Sequence, residues 1–127
     1  MREPSEQTRV LVVDDRPEMA DMLADDLRDR GYDSLAVTSG TEALRMLQTE
    51  RIDALVTDVR MPEVDGLALL RASVRLDPSR PVIMMTAYGT LDTAIEASSE
   101  GAYHYLVKPF RLEELVQILR QALGRRG

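Results

Sequence analysis

The sequence has no cysteine, one histidine (His104), one lysine (Lys108) and no long apolar run. Without cysteine there are no disulfides, no thiolate chemistry and no sulfur-ligated zinc. With one histidine there is no multi-histidine metal site. No apolar stretch approaches the ~18 residues that a membrane span needs. The opening Met1–Gln7 is polar and lacks the apolar core of a signal peptide, so a cytoplasmic, non-membrane chain is expected. A surplus of basic charge is missing too. The formal net charge is −6, which argues against direct nucleic-acid binding, because phosphate contacts need a basic surface. The shortage of lysine is the most pointed of these. Of 16 basic residues, 15 are arginine. One retained ammonium among so many guanidinium groups marks a position that wants a compact point charge rather than a planar fork.

What is present reads as one domain. The 127 residues are 44% hydrophobic and 30% charged, enough to bury a core and unlike a disordered chain. No internal repeat, low-complexity tract or second-domain boundary is visible. Residues 1–8 read as a flexible lead-in, 9–124 as the domain, and 125–127 as the start of a linker or the C-terminal end. Five short apolar runs read as strands: Arg9–Val13, Asp33–Val37, Ile52–Thr57, Pro81–Met85 and Tyr103–Val107. Between and after them lie five helical patterns. The first starts at Pro17, carries Met19, Met22, Leu23 and Leu27 as its apolar stripe, and stops at Gly31. The second opens on a Ser39–Glu42 capping box. The third follows the turn Glu63-Val64-Asp65-Gly66 and carries Leu67, Leu70 and Val74. The fourth, capped by Thr90, carries Leu91, Ala94, Ile95 and Ser98, the weakest stripe and so the least firmly packed helix. The last carries Leu112, Leu115, Val116, Leu119 and Leu123. Alternating strands and helices predict an α/β fold with a parallel sheet covered on both faces, in the flavodoxin-like order 2-1-3-4-5.

In such sheets ligands sit at the carboxyl ends of the strands. There the first run delivers Asp14-Asp15, the third Asp58, the fourth Thr86 and the fifth Lys108. Three neighbouring carboxylates repel, so the cluster holds either protons or a cation. Oxygen-only ligands suit a hard ion, Mg2+, with Mn2+ as the alternative. A carboxylate oxygen beside a divalent ion and an ammonium can act as a nucleophile toward a phosphoryl group. Thr86 and backbone N–H groups can take a remaining phosphoryl oxygen.

From Val10 to Leu123 the chain resembles the receiver domain of a two-component response regulator, which has the CheY-like form of this fold. The resemblance rests on Val12-Val13-Asp14-Asp15, Asp58-Val59-Arg60-Met61-Pro62 with Asp65-Gly66, Met85-Thr86-Ala87, and Lys108-Pro109-Phe110, in that order and spacing. It implies that Asp58 accepts a phosphoryl group from a phosphohistidine on a sensor histidine kinase, as a phosphoacceptor rather than an enzyme with an external substrate. It also implies that Asp15, Asp58 and the Arg60 carbonyl ligate Mg2+, with Asp14 acting largely through water. Lys108 contacts the phosphoryl group, and the bond before Pro109 is cis. Thr86 and Tyr105 match the family's switch pair, in which the hydroxyl moves toward the phosphate and the ring turns inward. His104 reads as an exposed polar residue rather than a phosphate carrier. The Asp58–Pro62 wording, Asp65-Gly66-Leu67 and Gly101–Leu106 are similar to receivers of sigma-54-dependent, NtrC-like transcription activators. That implies output in transcriptional regulation, through dimerisation or partner binding on the fourth helix, fifth strand and fifth helix. The output domain itself is not in this chain.

Two other readings are open to the sequence. An aspartyl-phosphate phosphatase needs a second carboxylate two residues after the nucleophile, where this chain has Arg60, which cannot donate a proton near neutral pH. A phosphate-independent module of the same fold is expected to lose part of the acidic cluster or the lysine, and both are kept. Arg60 and Tyr88 fall near the mouth of the site, where bulk and charge are expected to alter the lifetime of an acyl phosphate.

Overall fold

The computed structural model describes residues 8–87 and 89–124. Its elements run β1 (Arg9–Val13), α1 (Pro17–Asp29), β2 (Asp33–Val37), α2 (Gly40–Thr49), β3 (Ala54–Asp58), α3 (Gly66–Leu76), β4 (Val82–Thr86), α4 (Leu91–Ser99), β5 (His104–Val107) and α5 (Leu112–Gly124). All strand pairs are parallel, in the order β2-β1-β3-β4-β5. This is the expected order. β1, β3 and β4 are almost wholly buried, which is why they read as continuous apolar runs rather than alternating ones.

Alternation along the strands divides the core in two. Leu11, Leu55 and Met84 pack with Leu47, Leu69 and Leu70 on the α2–α3 side. Val10, Val12, Val56, Ile83 and Met85 pack with Ala24, Leu27, Leu115 and Leu119 on the α1–α5 side. Three strands lie later than the sequence suggests, β5 among them, which begins at His104 rather than Tyr103. β3 runs to Asp58, which pairs with Met85, and β4 begins at Val82 because Pro81 has no N–H for the ladder. Thr8, read as lead-in, extends the sheet by accepting from the Asp33 N–H at 2.9 Å. The rest of the lead-in and residues 125–127 lie outside the described residues.

Three helices depart from their expected faces or caps. In α1 the residues against the sheet are Ala20, Ala24 and Leu27, whereas Met22 is exposed. The small alanines let the helix approach the strands closely, and the methionines are left on its flank. In α4 only Ala97 is buried, while Leu91 and Ile95 stand in solvent. In α2, Ser39 Oγ accepts from the Glu42 N–H at 3.1 Å as expected. The two-way capping box, however, is formed by Thr90 and Thr93 at α4. Asp65 caps α3 through the Ala68 N–H at 2.9 Å.

Ser34 on β2 is fully buried, and its hydroxyl has no hydrogen-bond partner among the described residues. A buried hydroxyl left unpaired costs the desolvation of that group, and alanine removes this cost at nearly constant shape. Ser34→Ala is therefore expected to stabilise the fold by about 1 kcal/mol. Urea unfolding checks this, and a clear loss of stability would show that the hydroxyl is paired after all.

Candidate functional site

The sheet order decides which side chains meet. Val13 pairs with Thr57, so Asp14 and Asp15, just past β1, stand beside Asp58 at the end of β3. Thr86 pairs with Val107, and the Lys108 N–H donates to the Thr86 carbonyl at 2.7 Å, so β5 delivers Lys108 to the same rim. The Lys108–Pro109 peptide is cis, as the resemblance implied.

Lys108 Nζ donates to Asp14 Oδ2 at 2.8 Å and lies 3.3 Å from Asp58 Oδ2. Its side chain is only 11% exposed, and those of Asp14 and Asp58 are 3% and 13% exposed. So far from bulk water, the ammonium has the two carboxylates as its partners. Asp14 is fully engaged, since its Oδ1 accepts from the Arg16 N–H at 3.0 Å. Asp15 is exposed. The three aspartates each offer one oxygen within 4.8 Å of the others, a spacing that one cation can bridge.

Asp58 has the one resolved carboxyl shift in this cluster. Burial pushes its carboxyl above the ordinary value, against the pull of Lys108. The charge of Asp14 adds to the rise, and the Arg60 N–H, donating to the carboxylate, opposes it. The loop after Asp58 is held closely. A Cβ on Gly66 would lie 2.2 Å from the Asp58 carbonyl oxygen, so only glycine lets α3 start there. Glu63 in this loop has a φ of 66°, in the left-handed region.

The remaining expected residues fall as follows. Thr86 is buried at the end of β4. Tyr105 is half-buried, and its hydroxyl lies 2.7 Å from Thr93 Oγ1 on α4. Arg60 is exposed beside Asp58. His104 is exposed, and its Nδ1 accepts from the Tyr105 N–H. Tyr88 lies outside the described residues. Two features escaped the sequence reading. One is Thr93, to which the sequence reading gave no role. The other is a cleft of about 520 Å³ beside the carboxylates, floored by Met19, Met22, Leu23 and Phe110. The clue to the cleft was a stripe on α1 wider than the sheet could cover.

Among the described residues no helix is long and apolar enough to cross a membrane. The family model for the response regulator receiver domain matches residues 10–120. The transcriptional regulatory protein ZraR of Escherichia coli is 40% identical over 115 residues, which are 91% of this chain and 26% of that protein. The chain thus spans about a quarter of the length of the curated relatives it matches. A receiver domain structure from Clostridium thermocellum superposes with a TM-score of 0.88 at 34% identity, covering 94% of this chain and 96% of that one. The beryllofluoride-activated NtrC4 receiver domain dimer gives a TM-score of 0.88 at 32% identity, covering 94% and 99%. With its fold, its order of motifs and these relatives in agreement, the chain belongs to the response regulator receiver domain family.

Proposed function

We propose that this domain is a phosphorylation-controlled switch that takes a phosphoryl group onto Asp58 from a sensor histidine kinase. The observation that carries the reading is the placement of Lys108 between Asp14 and Asp58, with an exposed third carboxylate, Asp15, alongside. In the reaction an Asp58 oxygen attacks the phosphorus of a phosphohistidine. The new P–O bond forms as the P–N bond breaks, and the imidazole nitrogen leaves with its electron pair and takes up a proton. Lys108 moves its attention from the carboxylates to a phosphoryl oxygen, and the Thr86 hydroxyl takes another.

The donor set fits a hard divalent cation, Mg2+ or Mn2+, held by Asp15, Asp58 and the Arg60 carbonyl. Asp14, whose oxygens already face Lys108 and the Arg16 N–H, acts through water. Bound there, the cation neutralises charge on the transferring group and lowers the repulsion among the aspartates.

The phosphoryl group adds a charge of about −1.5 to −2 at pH 7. Thr86 shifts toward it, and the Tyr105 ring turns into the space left behind, repacking α4, β5 and α5. The exposed Leu91, Ile95 and Val107 on that face supply an apolar surface for a second copy or for an output domain. The NtrC4 receiver was solved as an activated dimer. ZraR is named as a transcriptional regulator. On this basis the output is transcriptional regulation.

Intact-protein mass after incubation with acetyl phosphate tests the chemistry. One phosphoryl adduct is expected, dependent on Mg2+, labile in mild base and absent from Asp58→Asn. An adduct that survives in that variant would overturn the assignment. The raised carboxyl of Asp58 gives a second expectation. A group whose pKa rises on folding contributes stability that is present at low pH and is lost as pH climbs through the folded value. In Mg2+-free buffer Asp58→Asn is therefore expected to unfold at higher urea than the parent at pH 7, with the gap closing near pH 4. Mg2+ at a hundred times its Kd adds about 2.7 kcal/mol to the parent and less to the variant. Equal midpoints at both pH values would show that the carboxylate is not strained by burial.

A further inference from the structure

The two ends of α4 are attached to the molecule in different ways. Its buried residue is Ala97, in the C-terminal half, whereas Leu91 and Ile95 are 76% and 56% exposed. Apolar burial therefore holds little of the first turn. At the far end Arg71 of α3 reaches across, with Nε 3.0 Å from Glu100 Oε2 and Nη2 3.7 Å from Glu96 Oε2. At the near end, among the described residues, the side-chain hydrogen bond to the neighbouring strand is made by one hydroxyl, that of Thr93. Thr93 Oγ1 accepts from the Thr90 N–H at 3.2 Å and donates to the Thr90 carbonyl at 3.0 Å, closing the cap of the helix. The same oxygen lies 2.7 Å from the hydroxyl of Tyr105 on β5. A threonine hydroxyl has one proton. With that proton on the Thr90 carbonyl, the Tyr105 phenol is the donor and Thr93 the acceptor. One oxygen thus belongs both to the cap of α4 and to the anchor of the aromatic ring.

We infer that Thr93 is the positioning residue through which the Tyr105 side chain sets the placement of α4. The inference rests on the switch reading above and adds the contact that transmits it. When the Tyr105 ring turns toward Thr86, its phenol leaves Thr93, and the first turn of α4 loses its tie to β5. Arg71 still holds Glu96 and Glu100, so the helix pivots about Ala97 and its Leu91–Ile95 end moves. The Thr93–Tyr105 bond therefore favours the unphosphorylated arrangement, and breaking it lowers the cost of activation at Asp58.

This coupling is reciprocal, so it is read at Asp58 itself. The measurement is the Kd of beryllofluoride, a phosphoryl mimic, in the presence of Mg2+. Tyr105→Phe and Thr93→Val are each expected to tighten binding about 2- to 10-fold, the range set by one ordinary hydrogen bond. The double variant is expected to gain no more than Thr93→Val alone, because the bond that Tyr105→Phe removes is already absent there. Thr93→Ser keeps the hydroxyl and is expected to bind as the parent does. Thr93→Val also opens the cap of α4, whereas Tyr105→Phe leaves the cap closed, so an effect of the cap alone would move the Kd in Thr93→Val and leave it unmoved in Tyr105→Phe. Parent-like affinity in both Tyr105→Phe and Thr93→Val, or additive effects in the double variant, would overturn the inference while leaving the switch reading intact. No beryllofluoride binding by the parent would overturn the switch reading, and this inference with it.

Discussion

The chemistry of this domain depends on one lysine holding two carboxylates that would otherwise repel. Parallel β1 and β3 place Asp14 and Asp58 side by side at strand ends, with little solvent to screen them. Burial is the main cause that pushes the Asp58 carboxyl above its ordinary value, and the charge of Asp14 adds to the rise. Lys108, brought over by the neighbouring pairing of β4 and β5, pulls it the other way without cancelling the rise. Guanidinium would serve less well. Its planar fork fixes two directions, whereas an ammonium can turn its three protons from carboxylate to phosphoryl oxygen without moving its stem. A chain that uses arginine at every other basic position keeps lysine here, and the geometry gives the reason.

The same balance leaves the site poised rather than settled. A buried ion pair contributes little net stability, because desolvation consumes most of the Coulombic gain. On the proposed reading, a cation and a phosphoryl group would complete the cluster, and its residual strain would become a bias toward the modified state. The surroundings are closely packed. Gly66 packs against the Asp58 carbonyl, and Gly40 has no room for a Cβ beside the Val64 carbonyl. These contacts fix the β3–α3 loop, so motion is directed elsewhere.

Much of this was legible in the sequence because it depends on patterns of short range. Apolar runs ending in Asp14, Asp58 and Thr86, with Pro17 and Ser39 as helix starts, were enough for the strand order and for which residues share a rim. What escaped was decided by contact across elements. The Met22 side of α1 fits a helical stripe as well as the Ala20–Ala24–Leu27 side, and only the separation from the sheet selects the alanines. Leu91 and Ile95 carry core-like periodicity but face solvent, because nothing on β5 covers them. Thr93 drew no notice, since its contact is with Tyr105, twelve positions away in the chain. Polar contacts between elements leave no periodic trace.

Those misplaced residues share a cause. An α4 with a full apolar stripe would bury Leu91 and Ile95 and would cost several kcal/mol to move, at about 1.5–3 kcal/mol for each large side chain. On the proposed reading one phosphoryl group has to supply the whole bias of the switch, and about 5.5 kcal/mol takes a population from 1:99 to 99:1. A helix held by Ala97, two exposed ion pairs and a shared hydroxyl falls within reach of that bias, because solvent-exposed ion pairs contribute little and the hydroxyl supplies one ordinary hydrogen bond. On that reading, the weak packing that made α4 the poorest helix in the sequence is what would let chemistry at Asp58 move it.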